Sequence, residues 1–264
     1  MKNRLHFQRR YLSIPYLVFN IAFVVLPLLL IVYYAFTDSQ GAFSLANLSD
    51  FFSSSGNIWV LVVSILIGLG NTAICLLIGY PIAMLLANKK YNKSYILVLL
   101  FIMPMWINFV LRTGATRDLL GWLGIDGGHY PYVTTMIGMV YNYLPFVILP
   151  LYSTMLKLDK SQIEASYDLG ANKLQTFYKT IIPMSMPGIS SAVTMVLMPT
   201  MSSYVISDIM SERKITLIGN YINDAFGQSL WNAGSLYALI MLILVFITMK
   251  IFKNQDEDAR GGLW

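Results

Sequence analysis

Charge is scarce in this chain. Of its 264 residues, 12% are charged and 56% are hydrophobic, whereas a soluble domain carries about 25% charged residues. With a mean hydropathy of +0.62, this shortfall excludes a surface built to face water on all sides. Cysteine is limited to Cys75, which lies inside an apolar run, so neither a disulfide nor a thiolate metal framework can form within the chain. Cys75 reads as a small buried hydrophobe. Histidine is limited to His6 and His129. The two are far apart and lack acidic neighbours at ligand spacing, which argues against a metal site. The serines have no histidine partner for nucleophilic catalysis. No paired catalytic groups stand out within the apolar runs, which disfavours a membrane-embedded enzyme. No G-x-x-x-x-G-K-[ST] loop occurs, so any ATP chemistry must reside in another chain.

What the sequence does have is long apolar runs. A helix crossing the hydrocarbon core needs about 20 apolar residues. Six stretches qualify: roughly Ile14–Phe36, Ile58–Ala87, Tyr95–Leu111, Tyr132–Leu156, Ile189–Ser207 and Trp231–Phe252. They predict an all-α polytopic membrane protein of about six transmembrane helices. The second is long enough to tilt or to reach beyond the bilayer. Pro27, Pro81, Pro104, Pro145, Pro150 and Pro199 fall within these stretches and predict kinks, since proline removes a donor and crowds the preceding turn. The first run has too long an apolar core for a signal peptide and no clean cleavage site, and it reads as an uncleaved span. Gly68 and Gly70 read as sites of close helix packing.

Basic residues set the expected orientation. With the N-terminus inside, the inner segments hold fourteen of the eighteen Lys and Arg: Lys2, Arg4, Arg9, Arg10, Lys89, Lys90, Lys93, Lys157, Lys160, Lys173, Lys179, Lys250, Lys253 and Arg260. Arg112, Arg117, Arg213 and Lys214 lie on or border the outside. Both termini are then cytoplasmic. The net charge of +5 does not signal nucleic acid, because these residues are interleaved with apolar runs and do not cluster on one polar surface. The outer segments carry Asp38, Asp50, Asp118, Asp126, Asp208, Glu212 and Asp224. They read either as ordinary solvated loops or as a field that concentrates a cationic solute.

The inner segment from Lys157 to Gly188 is patterned too regularly for a mere connection. Ser161 and Glu164 have the spacing of a capping box. Gly170 suits the left-handed residue that ends a helix. Asn172 can cap a second helix through Phe177 to Ile182, and Pro183 disfavours its simple continuation. The expected product is a slim helical hairpin, with Ile163, Tyr167, Leu169, Leu174 and Phe177 as apolar bulk suited to a groove on a partner.

The stretch Glu164-Ala165-Ser166, then Gly170, then Ile182-Pro183 resembles the EAA loop of bacterial ABC importer permeases. The glutamate-to-glycine and glycine-to-proline spacings both match. Ser166, Thr180 and Ile182 depart mildly from the usual residues. The resemblance implies a type I ABC importer transmembrane domain spanning 1–264, with its coupling loop at 157–188, in the bacterial inner membrane. It implies that Glu164, Ala165, Gly170 and Ala171 dock on a cytoplasmic ATPase dimer. ATP and Mg would be held there, with no cofactor in this chain. A second homologous permease and an extracytoplasmic binding protein complete the implied assembly.

The resemblance narrows further along the chain. Met103-Pro104-Met105-Trp106 with Leu111-Arg112-Thr113, the segment from Tyr141 to Tyr152, and Tyr204 through Ser207-Asp208 to Leu217-Ile218-Gly219-Asn220 are similar to the PotB-type permeases of spermidine/putrescine importers. Arg112-Thr113-Gly114 departs from an aromatic often found at its third position. A polyamine needs aromatic faces for cation–π contact and carboxylates for charge. The resemblance therefore points to Trp106, Tyr141, Tyr143, Tyr204 and Asp208 as a substrate path. The aromatics also have the alternative reading of membrane-interface anchors, a common role of Trp and Tyr. Asp208 reads either as an acid at membrane depth or as one in the water just outside. Permeases for ferric iron, phosphonate or amino-acid derivatives remain open alternatives, as does a membrane assembly protein.

Overall fold

A computed structural model describes residues 13–38, 40–88, 92 and 95–261, without the side chains of Ser13 and of 251–261. Seven of the fourteen inner basic residues (Lys2, Arg4, Arg9, Arg10, Lys89, Lys90 and Lys93) and His6 lie outside the described residues. The described chain is helical, and its sole β-type pairing is the isolated bridge Thr37–Phe43. Contacts group it into two compact units. One takes in the residues up to Asn57 with Tyr221–Leu242; the other takes in Ile58–Asn220 with the chain from Ile243 onward.

The first unit holds α1 (Ile14–Ala35) and α2 (Ala46–Ser53). Almost all of α1 is exposed, including Tyr16, Phe23 and Leu29, as lipid allows and water does not. A π-turn at Ile21–Val25 precedes Pro27 and takes up its missing donor. Asn47 and Asn232 both donate to the Thr37 carbonyl, at 2.9 and 2.6 Å. Tyr237 packs against Phe51 and Tyr221, with ring centroids 5.6 Å apart in each pair.

The second unit is built on three long helices. They are α3 (Ser55–Ala87), α6 (Pro131–Met155) and α8 (Lys173–Met201), with α4 (Ile96–Trp106) and α5 (Phe109–Trp122) preceding α6. The 33 residues of α3 extend about 50 Å at 1.5 Å per residue, which exceeds a hydrocarbon core of about 30 Å. Cys75 and Ala83 of α3, Val147 and Leu151 of α6, and Ala192 and Val196 of α8 are fully buried in one apolar core. Gly68 lies against Leu197 and Met201. This unit also holds α7 (Lys160–Asp168) and α9 (Tyr204–Ser211), while most of α10 (Ile218–Gly227) and the first part of α11 (Trp231–Gly261) belong to the first unit.

Two expected spans take a different form. The third is not one helix: α4 and α5 meet at a bend of 97°. Met103–Trp106 tightens to a 3₁₀ turn around Pro104, and Ile107 is extended. Asn108 then caps α5 by accepting the Val110 amide at 2.9 Å. Five continuous helices can thus cross a membrane, or six if the bent pair counts as one span. The fifth span begins well before Ile189, because Pro183 does not stop the helix that starts at Lys173. Phe177–Ile181 widens into a π-turn in which the Ile182 amide reaches the Phe177 carbonyl. The wider turn accommodates the pyrrolidine ring, and the helix runs on through Pro183 to Met201. The helix breaks at Ser202–Ser203, before Ser207.

Candidate functional site

Two features of the second unit deserve a functional reading: the hairpin α7–α8 and a cavity at the far end of α8. The hairpin starts on Asp159, not on Ser161. The Asp159 carboxylate accepts the Ser161 amide at 2.9 Å and the Ser161 hydroxyl at 2.8 Å, and these bonds hold its pKa below the ordinary carboxylate value. The expected Ser161–Glu164 capping box is absent because Asp159, two residues earlier, supplies the acceptor. A capping box occurs instead at the second helix, where Asn172 and Gln175 exchange bonds of 2.9 Å.

Between them the chain turns at Gly170, whose φ of +82° disfavours any side chain. Gly170 donates to the Tyr167 carbonyl at 2.9 Å, and Ala171 to that of Ser166 at 3.1 Å. This is the Schellman pattern. Ser166 and Thr176 hydroxyls share a bond of 3.0 Å across the turn. Glu164, Ala165 and Gly170 are exposed, and Ala171 is half-buried. Leu169 and Leu174, 89% and 67% exposed, stand apolar beside them. At the hairpin base, Tyr80 meets Phe177 edge-on and shares a 2.8 Å bond with Ser185.

The cavity, about 560 Å³, opens where α4 gives way to α5 and α8 to α9. Trp106, Asn108, Arg112, Asn142, Tyr143, Ser203 and Tyr204 are among its lining residues. Three of the five residues expected on a path are thus brought together: Trp106, Tyr143 and Tyr204. Tyr141 lines a neighbouring groove with Leu111 and Ile137, and its ring stands 5.4 Å from the Arg112 guanidinium carbon. Asp208 does not line the cavity. It is half-buried on α9, accepts from Asn220 at 2.6 Å, and lies 3.9 Å from Arg213.

Arg112 and Asn142 are site residues that the sequence reading passed over, since Arg112 counted as a border charge. It directly follows Leu111, the end of the third apolar stretch, so nothing in the local pattern marked its burial. His129 does have an acidic neighbour: its Nδ1 lies 2.9 Å from both Asp126 carboxylate oxygens, because the tight turn brings position i+3 back to i. Among the described residues, no group of three or more potential ligands could hold a metal ion.

Residues 7–260 match the family described as binding-protein-dependent transport system inner membrane component, and the chain belongs to that family. It is therefore a multi-pass membrane component of a transport system. Among its relatives is the spermidine/putrescine transport system permease protein PotB of Escherichia coli strain K12. That protein is 36% identical over 208 residues, which cover 73% of this chain and 76% of the relative. The Haemophilus influenzae protein of the same name is 34% identical over 201 residues, covering 70% of each chain. A PotB homolog of Mycoplasma genitalium is 24% identical, covering 91% of this chain and 90% of its own. Among solved structures, a bacterial ABC transporter involved in the import of the acidic polysaccharide alginate superposes with a TM-score of 0.68. It has 16% identity and covers 97% of this chain and 96% of that one. The fold is thus that of an ABC importer transmembrane domain.

Proposed function

We propose that this chain is the permease subunit of an ABC importer for polyamines. One observation carries the reading: α8 runs without interruption from the exposed hairpin at Lys173 to Met201, beside the cavity. Its 29 residues reach about 44 Å at 1.5 Å per residue. A push on the hairpin therefore moves the wall formed by Pro199, Ser202 and Ser203.

The hairpin docks on a cytoplasmic ATPase, one copy of a dimer, through Glu164, Ala165, Gly170 and Ala171, with Leu169 and Leu174 filling its groove. ATP and Mg are bound and used there, and this chain carries out no hydrolysis. The cavity faces a second homologous permease, and an extracytoplasmic binding protein delivers the cargo. Both termini lie inside, in keeping with the basic bias of the inner segments. Trp106, Tyr143 and Tyr204 offer π faces to ammonium groups and cover methylene segments. The names of the relatives support this cargo. Asp208 sits off the cavity and draws cations toward the entrance.

The test is reconstitution of this chain with its ATPase, second permease and binding protein in proteoliposomes. ATP-dependent spermidine uptake is expected. Uptake that ignores spermidine but follows another solute of the same binding protein would overturn the cargo and keep the class. The positive charge of Arg112 in the cavity wall favours one second reading, an anionic cargo such as a phosphonate, which the same assay scores. For orientation, Gly170→Cys labelled by an impermeant maleimide in intact cells would refute a cytoplasmic hairpin.

A further inference from the structure

Arg112 carries a buried positive charge that no acid on the described chain neutralises. The residue is 7% exposed. Its Nε and Nη2 donate to Asn142 Oδ1 at 2.9 and 2.6 Å, and its Nη1 donates to the Pro104 carbonyl at 2.8 Å. Tyr141 supplies a ring face. Every one of these partners is neutral. The ion pairs among the described residues are Arg117–Asp118, His129–Asp126 and Arg213–Asp208, none of which involves Arg112. A buried charge without a counter-charge is costly. Arg112 is also a lining residue of the cavity that holds Trp106, Tyr143 and Tyr204.

Asn142 makes the absence of an acid pointed. Its amide nitrogen donates to Thr113 Oγ1 at 3.1 Å and to the Gly138 carbonyl at 2.8 Å. Both amide hydrogens are thereby engaged, and the oxygen is turned to Arg112. An aspartate here would accept the same two guanidinium bonds and cancel the charge, at the loss of the two bonds donated to Thr113 and Gly138. Asparagine holds the arginine in place and leaves its charge intact.

We propose that Arg112 is a specificity-determining residue of the cavity, whose fixed positive charge prevents retention of a polycation, so that cargo passes and is released. The inference rests on the polyamine reading above. Three aromatic side chains in a confined space would otherwise form a cation site. A like charge about 6–8 Å away, at an effective dielectric of about 20, lowers occupancy by roughly thirtyfold to a hundredfold per ammonium group.

The experiment measures equilibrium binding of radiolabelled spermidine to the complete transporter in nanodiscs, without binding protein or ATP. Asn142→Asp and Arg112→Gln should each raise retention at least tenfold and slow ATP-driven turnover. Arg112→Lys, which keeps the charge but loses the forked geometry, should stay within about twofold of the unaltered complex. Asn142→Asp keeps the bonds to Arg112 but loses those to Thr113 and Gly138, so the melting temperature of each variant is read as well, and whichever of Asn142→Asp and Arg112→Gln folds decides the matter. Unchanged retention in Asn142→Asp, or equal gains in all three variants, would overturn the inference. Absence of spermidine import by the unaltered complex would instead sink the polyamine reading, and this inference with it.

Discussion

Asn71 of α3 and Thr200 of α8, 129 positions apart in the chain, share a 2.8 Å hydrogen bond at zero exposure. The Thr200 hydroxyl accepts from Asn71 and donates to the Val196 carbonyl at 2.7 Å. A polar pair between helices at membrane depth is worth about 0.6 kcal/mol on average and up to about 1.7. Thr200→Val is expected to destabilise by about 1–2 kcal/mol, because the Asn71 amide is left without an acceptor. The double variant with Asn71→Leu should cost less than the sum of the two single changes. Thermal unfolding in detergent over the four-member cycle checks this; strict additivity would show that the bond contributes nothing.

Gly170 gives a cleaner test of the hairpin than any charge does. A Cβ there meets open space, so a substitution acts through the positive φ and not through a clash. Gly170→Val should cost about 1–2 kcal/mol locally and abolish import, with insertion intact. Gly170→Asn, which tolerates left-handed backbone, should retain most uptake. Comparing uptake with ATPase co-purification separates lost docking from lost folding. Normal import by the valine variant would remove the hairpin from the mechanism.

Gly219 acts in the opposite way. A Cβ at this position would come within 2.3 Å of the Ser202 carbonyl oxygen, a backbone atom that no rotamer change can move. Gly219→Ala should therefore cost about 1–3 kcal/mol and disturb the cavity wall at Ser202. Gly121→Ala, with nothing within 4 Å and a helical backbone that favours alanine, serves as the clash-free control. Equal melting temperatures for the two variants would contradict the packing.

The Asp159 cap predicts a pH response confined to the hairpin. Its folded-state pKa is lowered by the Ser161 hydroxyl and amide. The cap is thus fully present above the unfolded value of about 3.9 and is lost as pH falls through the lower folded value. Amide exchange across Lys160–Asp168, corrected for intrinsic rates, should accelerate below about pH 4. Asp159→Asn, which keeps an acceptor without a titrating proton, should flatten that dependence. Identical profiles for the two proteins would rule the cap out as its source.

The hairpin was largely legible because its signals are local. The Gly170 turn and the Asn172 cap depend on backbone preferences within a few residues. Ser161 misled by the same logic: its capping spacing is genuine, but a stronger acceptor stood two residues earlier. Pro183 read as a stop because proline forbids an ordinary turn, yet a wider turn accommodates it, and that choice depends on what α8 packs against. Asn108 caps α5 within the third apolar stretch, whose apolar composition does not mark the 97° bend between α4 and α5.

Composition and periodicity alone determined that this chain lies in a membrane as a helical bundle with a patterned hairpin, since hydrophobicity and capping are properties of short stretches. Only the tertiary structure brought Trp106, Tyr143 and Tyr204 to one cavity, moved Asp208 aside to Asn220, and set Arg112 on Asn142. Such juxtapositions follow from how α5, α6, α8 and α9 pack. No residue carries that information by itself, because the energy of a buried charge is decided by neighbours that are distant in the chain.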